Sequence, residues 1–103
     1  MKIVDGDTVV FKSGRSFYEI EECGLKPNTV RVLDEEEARL FADWIMDADV
    51  VQHKIQYIEI QNKHGQESFR RKLTDVSFIG SIHEKYLLVF SWRHEGEVEL
   101  PEI

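Results

Sequence analysis

Two changes of hydrophobic period predict a single α+β domain. Apolar residues between about 35 and 48 recur at spacings of three and four, the period of an amphipathic helix. From about residue 50 the period falls to two, the alternation of strands, and the strand-like runs are separated by short turns. Strands joined by short turns pair antiparallel. The expected architecture is therefore a small antiparallel curled sheet or partial β-barrel with one short and one longer helix. The chain has 103 residues, enough for one domain that buries a core without disulfide or metal staples. No repeat or low-complexity tract divides it, so 1–103 is read as one domain with a loose acidic tail over 94–103.

The elements follow in order. Lys2 to Lys12 reads as two short strand pieces around Asp5, Gly6 and Asp7, because an Asp-Gly pair adopts positive φ at little steric cost. Ser13 to Arg15 is a loop. Ser16 and Glu19 fit a capping box that opens a short helix to about Cys23, although Phe17, Tyr18 and Ile20 also tolerate a strand. Gly24 suits the left-handed end of such a helix, and Pro27 keeps it from resuming. Thr29 to Leu33 alternates as a strand. Asp34 with Glu37 is a second capping box, opening a helix over about 35–48 whose stripe is Ala38, Phe41, Ala42, Ile45 and Ala48. Strands are expected within Val50–Gln61, Glu67–Leu73, Val76–Ile79 and Tyr86–Trp92, the last apolar on both faces and so central.

Charge narrows the partners. The net charge is −7, yet residues 50–72 carry five basic and two acidic side chains while 34–49 carry one basic and seven acidic. A protein that grips long duplex DNA needs a broad basic footprint, so duplex binding is disfavoured and a small anionic ligand in a local basic pocket is not. The single cysteine, Cys23, fits a reducing, cytoplasmic setting. The N-terminus lacks the apolar core of a signal peptide. The longest apolar run, Tyr86–Phe90, is too short to span a bilayer, so no membrane association is expected.

The residues that carry chemistry lie at Gly24-Leu25-Lys26-Pro27-Asn28-Thr29-Val30-Arg31. Thr29 and Arg31 are two apart on a strand and share a face, with the Lys26 ammonium just past a helix end. A guanidinium suits a phosphate, and a hydroxyl reaches a base or sugar edge. The pattern Gly-x-Lys-x-x-Thr-x-Arg resembles the signature of the ASCH domains, relatives of the PUA fold, in which the sixth position is usually glutamate and in some members threonine. The resemblance implies a small barrel-like domain with a helix before the motif and a cleft that binds RNA or a nucleotide. One branch with the threonine form hydrolyses acetylated cytidine. The resemblance to that branch makes Lys26 and Thr29 candidate catalytic residues, and the partner carboxylate is not identified from the sequence. The family's Gly-Asp turn after the motif has no counterpart here, where a helix begins at Asp34. KPNTVR, FRRKLTD and the FSW ending also resemble small phage and prophage proteins, which implies a host-directed or defence-countering role.

Arg70 and Lys72 join the candidate ligand-binding residues. They share a strand face in the densest basic run, Phe69-Arg70-Arg71-Lys72, where an aromatic neighbour offers stacking. The four histidines stand 11, 19 and 11 apart, spacings that suit no zinc site, and no pattern calls for a cofactor. Three functions compete: a binding module for a nucleotide or short single-stranded RNA, an amidohydrolase on an N-acylated nucleoside, and a protein-interaction module using the acidic helix. A structural role for the motif competes with all three, with Gly24 capping a helix and Arg31 pairing with the acidic helix.

Overall fold

A computed structural model describes residues 1–46 and 53–97. Among them the chain is a small mixed α+β protein: six strands in one sheet that does not close, with three helices. β1 (Lys2–Val4) and β2 (Thr8–Ser13) form a hairpin. Asp5 and Gly6 both take positive φ, 57° and 75°, as a type I′ turn requires. Helix α1 (Arg15–Glu22) follows, then β3 (Asn28–Leu33), α2 (Glu35–Arg39) and α3 (Ala42–Met46). The last three strands, β4 (Tyr57–Asn62), β5 (Ser68–Ile82) and β6 (Lys85–Trp92), form a meander.

The strand order is β1-β2-β4-β5-β6-β3. The sheet is not wholly antiparallel as expected: β2 pairs β4 in parallel, Val9 beside Ile58 and Phe11 beside Ile60. A parallel neighbour needs a long crossover, and α1, β3, α2 and α3 supply it. β5 is one continuous strand where two were expected. It pairs β4 with its first half and β6 with its second, and bends at irregularities between Leu73 and Asp75 and between Phe78 and Gly80. That bend curls the sheet, so the outermost strands approach one another.

Of the two helix starts expected from capping, one shifts and one holds. Gly14, not Ser16, is the N-cap of α1, because its carbonyl accepts the Tyr18 N–H. The Asp34–Glu37 box forms in both directions, at 2.8 and 3.0 Å. The helix it opens is not continuous, however. Leu40 and Phe41 donate to Glu37 and Ala38, the tighter three-residue spacing, and α3 restarts beyond them. The tightening rotates the following turn, so Phe41 and Trp44 are buried while Ile45, expected in the stripe, is 38% exposed. Ala48, the last residue of that expected stripe, lies outside the described residues, as do 50–52.

The core is the concave side of the sheet under these helices. Phe41 and Phe11 both pack edge-on to Phe90, with ring centroids 4.9 and 5.0 Å apart. Val9, Ile58, Ile60, Val76 and Leu88 complete it. The His94 ring lies against Gly24, whose φ is +87° and whose absent Cβ would fall 2.5 Å from the imidazole; of the expected loose tail, 98–103 lie outside the described residues. No helix among the described residues is long and apolar enough to cross a membrane.

Candidate functional site

The site is built at the corner where α1 passes between the ends of β2 and β3. Among the described residues β3 is an edge strand paired only with β6. Thr29, Arg31 and Leu33 point to the concave side and Val30 and Val32 to the outside, as the strand period requires. The Arg31 side chain crosses from β3 to β2. Its Nη1 donates to the Lys12 carbonyl at 2.8 Å, its Nη2 to the Ser13 hydroxyl at 2.7 Å, and its Nε to Thr29 Oγ1 at 3.0 Å. The guanidinium also lies over the Phe11 ring, 4.9 Å from its centroid. The Ser13 hydroxyl passes its proton-side bond on to Glu21 Oε1 at 2.7 Å.

A chain Arg31–Ser13–Glu21 therefore ties β3, β2 and α1 together through polar atoms. Glu21 is only 2% exposed, and the nearby guanidinium gives its burial a compensating charge. Burial pushes the Arg31 guanidinium below its ordinary pKa, and the Glu21 carboxylate pulls it back up. Arginine carries five N–H groups. Three are engaged internally, so Arg31 keeps donor capacity for a ligand.

Beside this chain opens a cleft of about 310 Å³, lined by Ser13, Phe17, Glu21, Lys26, Thr29 and Arg31 among others. Its size lies at the small end of ligand sites. Lys26 reaches it from the turn after α1, where its own N–H donates to the Ile20 carbonyl. The Lys26 ammonium stands 5.8 Å from the centroid of the Phe17 ring, and Phe17 is 58% exposed. Thr29 is 5% exposed. The three motif residues Lys26, Thr29 and Arg31 thus line one concavity. Among the described residues Arg31 does not pair with the acidic helix; its partners are on β2 and β3.

Arg70 and Lys72 are not part of this cleft. In the β4–β5 register Ile58 faces Arg71 and Ile60 faces Phe69, so those four side chains point to the concave side. Arg70 and Lys72 alternate with them and project from the outer face, the thickness of the sheet away from Thr29 and Arg31. Arg70 pairs there with Glu59 at 3.3 Å and Asp5 at 3.9 Å. Arg71 is the member of the basic run that turns inward, over Phe69 at 5.0 Å.

Sequence reasoning missed Ser13, Phe17 and Glu21. Glu21 had a detectable signal: it stands three residues after Tyr18, and those two are the buried residues of α1, an acid on the apolar face of a helix. Ser13 and Phe17 had none, because their role depends on the packing of separate elements. Compared with protein-family models, curated proteins and solved structures, the chain finds no match.

Proposed function

We propose that the chain is a small binding module for a nucleotide-type ligand, a mononucleotide or a short single RNA strand, related in kind to the ASCH and PUA-like domains. The observation that carries this reading is the cleft itself. One concavity holds an ammonium, a guanidinium with spare donors, an exposed aromatic ring and a buried carboxylate. Lys26 and Arg31 suit a phosphate, Phe17 suits the face of a base, and Thr29 and Glu21 suit polar edges. Arg70 and Lys72 have no part in it. A long duplex does not fit, because the net charge of −7 repels any polyanion that extends beyond the local basic lining.

The test is a titration of the four common ribonucleoside monophosphates, followed by amide NMR shifts, with a DNA duplex of about 20 base pairs as control. Shifts confined to Phe17, Lys26 and β3, lost in Lys26→Ala at unchanged Tm, are the expected result. Lys26 is the clean probe because its side chain supports no structural hydrogen bond among the described residues. Shifts on the β4–β5 outer face instead, or tight duplex binding, would refute the reading.

A second reading is favoured by one observation. Glu21 brings a carboxylate to the cleft that Lys26 and Thr29 also line, the residue types that the acetylcytidine-hydrolysing branch uses. Hydrolysis of an N-acylated nucleoside then follows as the alternative function. Binding takes precedence, because the hydrogen bonds of Glu21 and Thr29 among the described residues run to Ser13 and Arg31 and do not join the two to each other. Release of acetate from N4-acetylcytidine, abolished by Glu21→Gln, would reverse that order.

A further inference from the structure

We propose that the open seam between β2 and β3 is the track for a strand that continues out of the cleft. On this view the ligand is the end of a single-stranded oligonucleotide rather than a free mononucleotide; the inference rests on the nucleotide reading above. The seam is a second concavity of about 770 Å³, and it shares Lys12, Val30 and Arg31 with the smaller cleft. Arg31 spans the junction, so a ligand seated against it from the cleft has an exit along the seam.

Parts of the seam walls are strand edge, with backbone groups outside any ladder. The Trp92 N–H donates to the Pro27 carbonyl, which fixes the alternation along β3. Thr29, Arg31 and Leu33 turn their N–H and C=O groups to β6, and Val30 and Val32 turn theirs into the seam. On the other wall the Ser13 carbonyl accepts from Lys63, on the β4 side, so the Lys12 backbone faces the opposite way, into the seam. β1 pairs β2 only as far as Val10; on that edge the Lys12 carbonyl accepts from Arg31, and the Lys12 N–H has no ladder partner among the described residues. Amide donors along such an edge suit phosphate oxygens, and the exposed valine side chains suit base faces.

Charge decides between the two kinds of chain that could lie there. An extended peptide also satisfies a strand edge. The lining, however, carries Lys2, Lys12 and Arg31 against the single acid Glu37. Among the described residues Lys2, Lys12 and Lys26 form no ion pair. The track is short. It ends where α2 begins with Glu35, Glu36 and Glu37, which repel a polyanion. The run from Thr29 to Leu33 spans about 13 Å at strand rise. That length holds on the order of two to three nucleotides, at or below the low end of known single-strand footprints.

The experiment compares CMP with a fluorescein-labelled tetracytidylate by calorimetry and anisotropy at three salt concentrations. The tetranucleotide is expected to bind at least about ten-fold tighter than CMP. Lys2→Glu and, independently, Val32→Glu should remove most of that gain and leave CMP binding unchanged. Lys2→Glu should also flatten the salt dependence by about 0.7 log units per log unit of salt, one contact on a single strand. Both residues are exposed, and circular dichroism of each variant checks the fold. CMP binding with no gain from the longer probe overturns the seam proposal, as does a gain insensitive to both variants. Displacement of the tetranucleotide by a tetraglutamate peptide as readily as by unlabelled tetracytidylate also overturns it, in favour of a peptide or general anion groove. Failure of both CMP and the tetranucleotide to bind overturns the nucleotide reading beneath it.

Discussion

Arg31 and Arg70 belong to the same sheet, yet Arg31 is drawn into three hydrogen bonds, two of which join β3 to β2, while Arg70 stays in solvent beside Glu59 and Asp5. The region around Arg70 is the denser in basic residues along the sequence. The region around Arg31 is the one the fold makes into a concavity. The difference is one of face: strand alternation puts Thr29 and Arg31 on the concave side and Arg70 and Lys72 on the outer one. On the outer face a guanidinium is hydrated, and its ion pairs contribute little. On the concave side the same group is partly stripped of water and must be satisfied by fixed acceptors, which gives it a defined direction.

The contrast predicts graded effects. The largest is expected for Arg31→Ala, which leaves the Lys12 carbonyl without its partner across the seam and the buried Glu21 without its compensating charge. Chemical denaturation should show a loss of about 2–3 kcal/mol, together with loss of CMP binding. A variant as stable as the parent would show that the polar chain is ornamental. Gly24→Ala comes next. It imposes positive φ on an alanine and drives a methyl into the His94 ring, for a loss of about 1–2 kcal/mol in the same assay. The double variant Gly24→Ala, His94→Ala should recover the part due to the clash and keep the part due to the backbone. The smallest effect belongs to Arg70→Ala, which should move stability by less than about 0.5 kcal/mol and CMP affinity not at all. A clear loss of binding there would place the ligand on the outer face and invert the comparison.

Much of the fold was legible because its signals are local. The Asp34–Glu37 capping box, the Asp5–Gly6 turn and the buried alternation of Leu88, Phe90 and Trp92 each depend on residues a few positions apart. The break between α2 and α3 was not legible. Neither glycine nor proline marks it, and it is set by how Phe41 and Trp44 reach the core. The parallel pairing of β2 with β4 was hidden for another reason: it joins residues about fifty positions apart, and no turn fixes the register. The candidate site divides the same way. Lys26, Thr29 and Arg31 could be grouped from one segment, whereas Ser13, Phe17 and Glu21 come to them only through folding.

The strand order also carries a consequence for the sequence of folding events. β4, β5 and β6 are joined by short turns, one of them the tight pair His83–Glu84 at φ 50° and 64°, so the meander closes small loops. Through the strand ladder β2 and β3 are connected by way of that meander, one along β4 and the other along β6. The pairings of β2 with β4 and of β3 with β6 both join residues about fifty or more positions apart, and closing those two loops costs more chain entropy than the meander before any contact rewards it. The two walls of the cleft are therefore expected to dock after the meander has formed, and to part before it does. This corner is therefore expected to open as its own cooperative unit while the meander holds, and native-state hydrogen exchange should show amides of β2 and β3 exchanging ahead of those in β5.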